Sequence, residues 1–509
     1  MSNFMESLKT SLDNSDHNVS TTANGALGYR TTGSALLDLN FSVSSLRDKS
    51  NDEIIIKFMK AFDENSNLAL KWLFFARDIR EGLGERRLFR IILMRLSNEY
   101  PELVSSLIPF ISEYGRWDDV VELLSGPCKH AVVNCIRLQW GYDYSDMRLG
   151  KPISLMAKWL PSVNTSSRKT VAAGRMLAAE LGYKESRYRK ILSALRKHID
   201  VLEIKMSKGD WDQINYEKVP SRANLIYSKA FLRNDETRRR DFLTRLTSGE
   251  AKINAGTLYP HDIVHRYLGG NTCVCGNMEQ TLEGLWNALP NTMNGDNCRT
   301  MVVADGSGSM DVPVSKDGRV TAIDIADALA IYFAERMTGE FRNKYITFSR
   351  HPQLVDLTSC NTLYEKLKVA SYHREVSDTN IEAVFELILK TAVDNNIAQY
   401  DIPRNILIIS DMEFNGCGGE AINQRLFEAI GEKYTTAGYR LPRLIFWNVN
   451  SSTGTIPINE NKLGVSLVSG FSPNVAKMIM SEKMDPYECL VETLMSERYL
   501  PITDNNDID

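Results

Sequence analysis

The sequence predicts an all-α helical-repeat domain, in ring or solenoid form, followed by an α/β domain built on a doubly wound sheet. Three observations predict it. Apolar residues recur on a helical period, with short breaks, from Asn51 to about residue 250. After Asn297, short and wholly apolar runs alternate with amphipathic stretches, as parallel strands covered by helices on both faces do. The 509 residues also exceed what a single ordinary core holds.

Residues 1–50 are rich in Ser, Thr, Asn and Gly and read as an extended or partly disordered lead-in. The helical domain spans 51–296. "NDEIIIKFMKAF" opens with Asp52 as N-cap and puts Ile55, Phe58, Met59 and Phe62 on a helical period. "NLALKWLFFARDIR" and "RRLFRIILMRLSNEY" repeat the pattern, with Leu88, Ile92 and Leu96 stacked on one face. "PELVSSLIPFISEYG" has Pro101 at its first helical position and stops on Gly115, and "RWDDVVELL" starts the next helix. "MEQTLEGLWNAL" is a helix between two loops near residue 270 and residue 295.

The α/β domain spans 297–500. Its strands read as "TMVVA", "KYITFS", "NILIIS", "RLIFWNV" and "VSLVS". Its helices include "TAIDIADALAIYFAERM" and "TNIEAVFELILKTAVDN". Residues 501–509 read as a disordered acidic tail.

Composition narrows the function. A net charge of −4 excludes polyanion binding by bulk charge, so any nucleic-acid surface must be a local patch. No run of 18 apolar residues exists, and the first 20 residues lack the basic and apolar regions of a signal peptide. The eight cysteines are scattered, as reduced thiols are, so the expectation is a cytoplasmic protein without a membrane.

The chemistry concentrates at strand ends. "TMVVADGSGSM" runs from a buried strand into Asp305, Ser307 and Ser309, with Gly306 and Gly308 permitting a tight turn. "NILIISDMEF" places Asp411 directly after another buried strand. Thr379 lies in the last loop residues before a helix, where it could serve equally as an N-cap. Ligands of such sheets sit at the carboxyl ends of strands. Asp305, Ser307, Ser309, Thr379 and Asp411 are all hard oxygen donors. They suit Mg²⁺ first, with Mn²⁺ and Ca²⁺ as alternatives, and leave an open position for a partner's carboxylate or phosphate oxygen.

Other chemistries fit poorly. "DGSGS" lacks the lysine and spacing of a nucleotide-binding P-loop, and neither serine sits in a nucleophile elbow. A metal-dependent nuclease would want a second carboxylate cluster or a general base, and none stands out. His261 and His265 in "HDIVH" have no third ligand at a recognisable spacing and read as structural. Cys273 and Cys275, with Cys298 or Cys417, make only a weak zinc pattern.

Charge is uneven in the helical domain. From Lys151 to Arg245 there are 21 Lys and Arg against 10 Asp and Glu. The densest part, "KESRYRKILSALRKH", holds Arg187, Arg189, Lys190, Arg196 and Lys197 beside Tyr188, and "TRRRDF" is a second knot. Such a face is either solvated or polyanion-binding.

Two resemblances follow from these residues. Asp305, Ser307, Ser309, Thr379 and Asp411, in that order and on those elements, resemble the metal-ion-dependent adhesion site (MIDAS) of von Willebrand factor type A domains, which have a Rossmann-like sheet. Departures are Ser377-Asp378 before the threonine, where many members have glycine, and Met412 after the second aspartate. "FFARDIREGLGERRLFR", a helical corner rich in Arg–carboxylate pairs, resembles a signature of Ro-type ribonucleoproteins. "YGRWDDVVELL" looks like the next helix start in the same module. Those proteins join a ring of HEAT-like repeats, the TROVE module, to a C-terminal von Willebrand A domain. "VPSRANLIYSKAFLRND" and "INAGTLYPHDIV" are similar to an uncharacterised Ro-like group found in varied organisms and in viruses.

The resemblance implies small non-coding or misfolded RNA on the helical domain. Arg187, Arg189, Lys190, Arg196 and Lys197 would contact phosphates, and Tyr188 would stack on an unpaired base. The expected function is therefore a non-enzymatic, monomeric RNA-binding scaffold whose metal site captures an acidic side chain of a protein partner. The alternative is a metal-dependent protein-interaction module without RNA.

Overall fold

The structure, a computed structural model, describes residues 18–23, 27–268, 277–293, 299–314, 320–374, 380–413, 424–451, 454–456, 465–475 and 485–503. The chain forms two compact units, one of residues 1–69 and 255–496 and the other of residues 70–254 and 497–509. The multidomain class is as expected: an all-α unit and an α/β unit.

In the helical unit, amphipathic helices follow one another with short connections. They include Arg86–Glu99, Pro101–Tyr114, Trp117–Glu122, Lys129–Arg148, Arg168–Glu180, Glu185–Ile199, Ser221–Asn234 and Glu236–Thr247. Leu88, Ile92 and Leu96 form the buried stripe that their spacing predicts. Pro101 opens its helix, and the Gly115 N–H closes it on the Ile111 carbonyl. Helix Ser66–Arg77 leads into this unit.

The α/β unit carries a six-stranded sheet. Its strands are β3 (Thr300–Asp305), β4 (Lys344–Phe348), β5 (Leu354–Asp356), β6 (Asn405–Ser410), β7 (Arg443–Asn448) and β8 (Val465–Ser469). The order is β5-β4-β3-β6-β7-β8, parallel throughout except for β5, an antiparallel edge strand that the sequence reading lacked. Every residue of β6 and β8 is buried, which is why these strands read as mainly apolar runs broken only by small polar residues (Asn405, Ser410, Ser466 and Ser469). Helix Ala322–Arg336 is buried from Ala322 to Ala334. Val384, Phe385 and Ile388 of helix Ile381–Asp394 pack into the core cluster with Val303, Ile406 and Phe446. Because β3 lies between β4 and β6, the chain reverses its direction of travel across the sheet at β3. The carboxyl ends of β3 and β6 are therefore the topological switch point, where ligands of open α/β sheets sit.

The ends of the chain depart from expectation. The lead-in is not a separate extended segment. It contributes a two-stranded antiparallel sheet, β1 (Val19–Thr21) and β2 (Leu27–Tyr29), and helix Ala35–Phe41 to the α/β unit. Leu36, Leu37, Leu39 and Phe41 are buried, the Asn448 side chain donates to the Phe41 carbonyl (3.0 Å), and Ser44 bonds Ser469 (2.9 Å). The polar composition misleads because its serines are fixtures of folded structure. Ser34 caps one helix; Ser50, in a capping box with Glu53, caps Asn51–Glu64 in place of Asp52.

At the other end, residues 497–503 pack into the helical unit. The Lys71 ammonium, 2% exposed as a residue, donates to the carbonyls of Tyr499 (3.0 Å), Leu500 (3.4 Å) and Ile502 (2.6 Å). Of the expected tail, 504–509 lies outside the described residues.

Candidate metal site at the strand ends and the basic helix

Asp305 ends β3 and is 2% exposed. Its Oδ1 accepts the Ser307 N–H (2.9 Å), which folds the glycine-flanked loop back over the strand end. The Ser307 and Ser309 hydroxyls then meet at 3.0 Å. From β6, Ser410 donates its hydroxyl to Asp305 Oδ2 (2.6 Å) and accepts the Met412 N–H (3.0 Å), while Asp411 Oδ1 accepts the Glu413 N–H (3.0 Å). One buried hydroxyl thus ties the two aspartate loops together. Met412, where glycine is usual in the resembled motif, holds φ at 63° and still buries its side chain in the core.

Burial pushes the Asp305 carboxyl up, against the hydrogen bonds of Ser410 and Ser307 that favour its charge. Burial and then the negative charge of Asp305 push Asp411 up to about 7, with hydrogen bonds from the Glu413 N–H and Ser309 pulling down. Two carboxylates crowded in a low-dielectric setting are what a bound cation neutralises. Among the described residues no three His, Cys, Asp or Glu side chains form a metal-holding group, so the donors here would be two carboxylates and hydroxyls. That set fits a hard divalent ion. The sequence-predicted residues Asp305, Ser307, Ser309 and Asp411 are brought together. Thr379 lies outside the described residues, and the N-cap of the following helix is Asn380, which accepts the Ala383 N–H (3.1 Å).

The basic helix Glu185–Ile199 divides its residues differently from the expectation. Arg187, Arg189, Lys190 and Lys197 are exposed. Tyr188 is fully buried: its ring stacks on Trp140 (5.4 Å, 9°), and its hydroxyl donates to the Pro161 carbonyl (2.8 Å). It cannot stack on a base. Arg196 spends its guanidinium on the Ala157 carbonyl (2.8 Å), the Leu160 carbonyl (2.8 Å) and the Ser162 hydroxyl (2.6 Å), so it is structural too. Both face the packed side because Tyr188, Leu192 and Leu195 form the helix's buried stripe, next to which Arg196 falls. In the second knot, Arg239 is 0% exposed and enclosed by Tyr216, Phe231 and Phe242 at 5.0, 5.3 and 5.1 Å.

The helical corner is tied, but to partners elsewhere in the unit. Arg77 donates twice to Asp119 Oδ2 (2.9 and 2.7 Å), Arg90 donates to Asp119 Oδ1 (2.5 Å), and Arg86 pairs with Asp118. Asp78 meets Arg498 and Tyr499. A Cβ at Gly82 would lie 1.9 Å from the Phe75 carbonyl oxygen, so this close turn requires glycine. His261 stacks on Tyr259 (5.5 Å), and His265 lies 3.7 Å from Asp324. The four cysteines of the zinc pattern lie outside the described residues.

Comparison with known proteins places these features. Residues 22–133 and 172–295 match a domain of unknown function, DUF2828, and residues 299–499 match another, DUF7788. The uncharacterized protein L728 of Acanthamoeba polyphaga mimivirus is 30% identical over 532 residues, covering 96% of this chain and 90% of that protein. The chain belongs to the family of that viral protein. Among solved structures, the crystal structure of the Deinococcus radiodurans Ro (RSR) protein aligns with 87% of this chain and 98% of that chain, at 13% identity and a TM-score of 0.46.

In this member of the family, Asp78 and Asp119 lie within the first matched domain, and Asp305 and Asp411 within the second. Sequence reasoning missed Ser410 and Glu413. Both flank Asp411 in "SDMEF", and a hydroxyl directly before a strand-end aspartate was the available signal. No described helix is long and apolar enough to cross a membrane.

Proposed function

We propose that the chain is a non-enzymatic scaffold whose α/β unit holds a divalent cation, Mg²⁺ by preference, and offers it to an acidic side chain of a protein partner. The observation that carries this reading is the meeting of buried Asp305 and Asp411 at the switch point of the sheet, bridged by Ser410 and faced by Ser307 and Ser309. These residues would hold the ion, with Thr379 as a further hydroxyl. The ion would supply a positive charge with a coordination position free for the partner's carboxylate. The scaffold would act as a cytoplasmic monomer. Isothermal titration of the full chain with Mg²⁺ and Mn²⁺ tests it. One equivalent should bind, and Asp305→Ala should abolish the heat; equal binding by the variant removes the site.

RNA binding on the helical unit is the second reading, supported by the exposed row of Arg187, Arg189, Lys190 and Lys197 and by the Ro-like sequence signature. Small or structured RNA would be held through phosphates, without Tyr188. Crosslinking and RNA sequencing tests it, comparing the chain with a variant carrying Glu at those four positions. An RNA population lost in the variant supports it, and no RNA above background in either sample ends it.

A further inference from the structure

The strand pair β1/β2 docks beside the end of the sheet that carries Asp411. Tyr29 and Ile456 exchange backbone hydrogen bonds, both 2.8 Å. Thr455 donates its hydroxyl to the Thr21 carbonyl (3.2 Å) and meets the Ser20 hydroxyl at 3.3 Å. The two segments touch at Gly28, where a Cβ would lie 2.4 Å from Thr455 Cγ2 and 2.7 Å from the Ile456 oxygen.

At the same place sits a third carboxylate. Glu413 is 4% exposed, two residues beyond Asp411. Its Oε2 accepts the Ala23 N–H (2.7 Å) from the strand pair, and its Oε1 accepts the Ser451 hydroxyl (3.2 Å). Its own N–H orients Asp411. Glu413 also adds to the negative potential at Asp411. The N-terminal strand pair therefore holds one of three neighbouring acidic groups by a backbone donor. A donor facing a buried carboxylate fixes its direction and partly offsets its charge.

We propose that Glu413 is a positioning residue for the cation site and that the docked strand pair restrains it. With Ala23 in place, Glu413 aligns Asp411 through its backbone while its carboxylate is held on the strand pair. Undocking releases that carboxylate beside Asp411 and tightens cation binding. The inference rests on the cation-site reading above. It makes the N-terminal residues a brake on the metal site, although they lie 390 residues away in sequence.

The test uses the full chain and Mn²⁺ as probe, with affinity from titration calorimetry and strand-pair docking from amide exchange across residues 18–29. Gly28→Val forces β2 off Thr455 and Ile456. It should speed exchange in β1/β2 and raise Mn²⁺ affinity at least about threefold, since a nearby full charge in a partly buried site is worth that much or more. Ala23→Pro, which removes the one backbone donor from the strand pair and leaves the Ser451 hydroxyl in place, should act in the same direction. Glu413→Gln should lower affinity in the parent and cancel the gain in the Gly28→Val background, an effect that mere loosening of the fold would not produce. Slow exchange in β6 checks that the sheet is intact.

If Asp411→Ala abolishes Mn²⁺ binding while Gly28→Val, Ala23→Pro and Glu413→Gln all leave affinity within about twofold, Glu413 is only structural. The inference then falls while the cation site stands. If the parent chain binds no Mn²⁺, the cation-site reading falls and this inference with it.

Discussion

Replacing Asp411 with Asn should abolish divalent-cation binding and yet stabilise the metal-free protein. In the folded chain the Asp411 carboxyl rises from 3.8 to about 7, through burial first and the Asp305 charge second. That rise disfavours the ionised form by about 4 kcal/mol at most, at about 1.4 kcal/mol per pH unit. The amide removes the repulsion but weakens the hydrogen bonds from Ser309 and the Glu413 N–H, which returns about 2 kcal/mol. The net gain in chelator at pH 8 is therefore about 2 kcal/mol, or a midpoint rise of roughly 5 °C.

The pH dependence has a definite sign. A carboxyl raised in the folded state binds its proton more tightly there than in the unfolded chain. Its contribution is most favourable below about 4 and is lost as pH climbs through about 7. The parent in chelator should thus weaken between pH 4 and 7, and Asp411→Asn should weaken less, since only the buried Asp305 carboxyl then remains raised. Mg²⁺ should stabilise the parent more at pH 8 than at pH 5, because protons and cation compete for the same oxygens. Thermal melts at pH 5 and 8, with chelator or Mg²⁺, measure all of this. A variant less stable than the parent in chelator at pH 8 would refute the reasoning.

Three further outcomes are expected. Lys71→Met leaves the buried Tyr499 and Ile502 carbonyls and the half-buried Leu500 carbonyl without their ammonium donor and should cost about 3 kcal/mol or more; urea unfolding checks it, and a loss below about 1 kcal/mol would count against the C-terminal segment as an integral part of the helical unit. Asp119→Ala strands the nearly buried Arg77 charge and should cost about 3–5 kcal/mol by the same measurement. Although burial pushes the Asp119 carboxyl up, Arg77 and Arg90 outweigh it and hold the group below its usual range, so this stability is present above about pH 4 and lost on acidification, opposite in sign to Asp411. Tyr188→Ala should destabilise by about 3 kcal/mol or more, whereas Lys190→Glu with Lys197→Glu should leave stability within about 0.5 kcal/mol and weaken any RNA binding in a salt-dependent way; melting curves and filter binding separate the two.

Much of the site was legible in sequence because its signals are local. A strand buried on both faces is dominated by apolar residues, so β3 and β6 stand out, and the aspartate at each end is read directly. The basic helix was misread for the opposite reason. Charge density along "KESRYRKILSALRKH" says how many cations a helix has, not which way each points. Tyr188 and Arg196 were settled by Trp140, Pro161 and Ser162, which lie 48, 27 and 34 residues upstream. The lead-in failed likewise: Ser34, Ser44 and Ser50 look like disorder by composition and act as caps and buried hydroxyls.

By itself the sequence determined the amphipathic helices from Asn51 onward, the five parallel strands of the large sheet, the fold class, and the oxygen-rich chemistry of the strand-end loops, because periodicity and turn residues act over a few positions. Only the tertiary structure decided that β3 lies between β4 and β6, so that Ser410 reaches Asp305 across 105 residues. It also decided that residues 497–503 pack with the helices, and that Ala23 holds Glu413. Those pairings are set by burial and hydrogen-bond satisfaction between segments far apart in the chain, and no short window of sequence contains both partners.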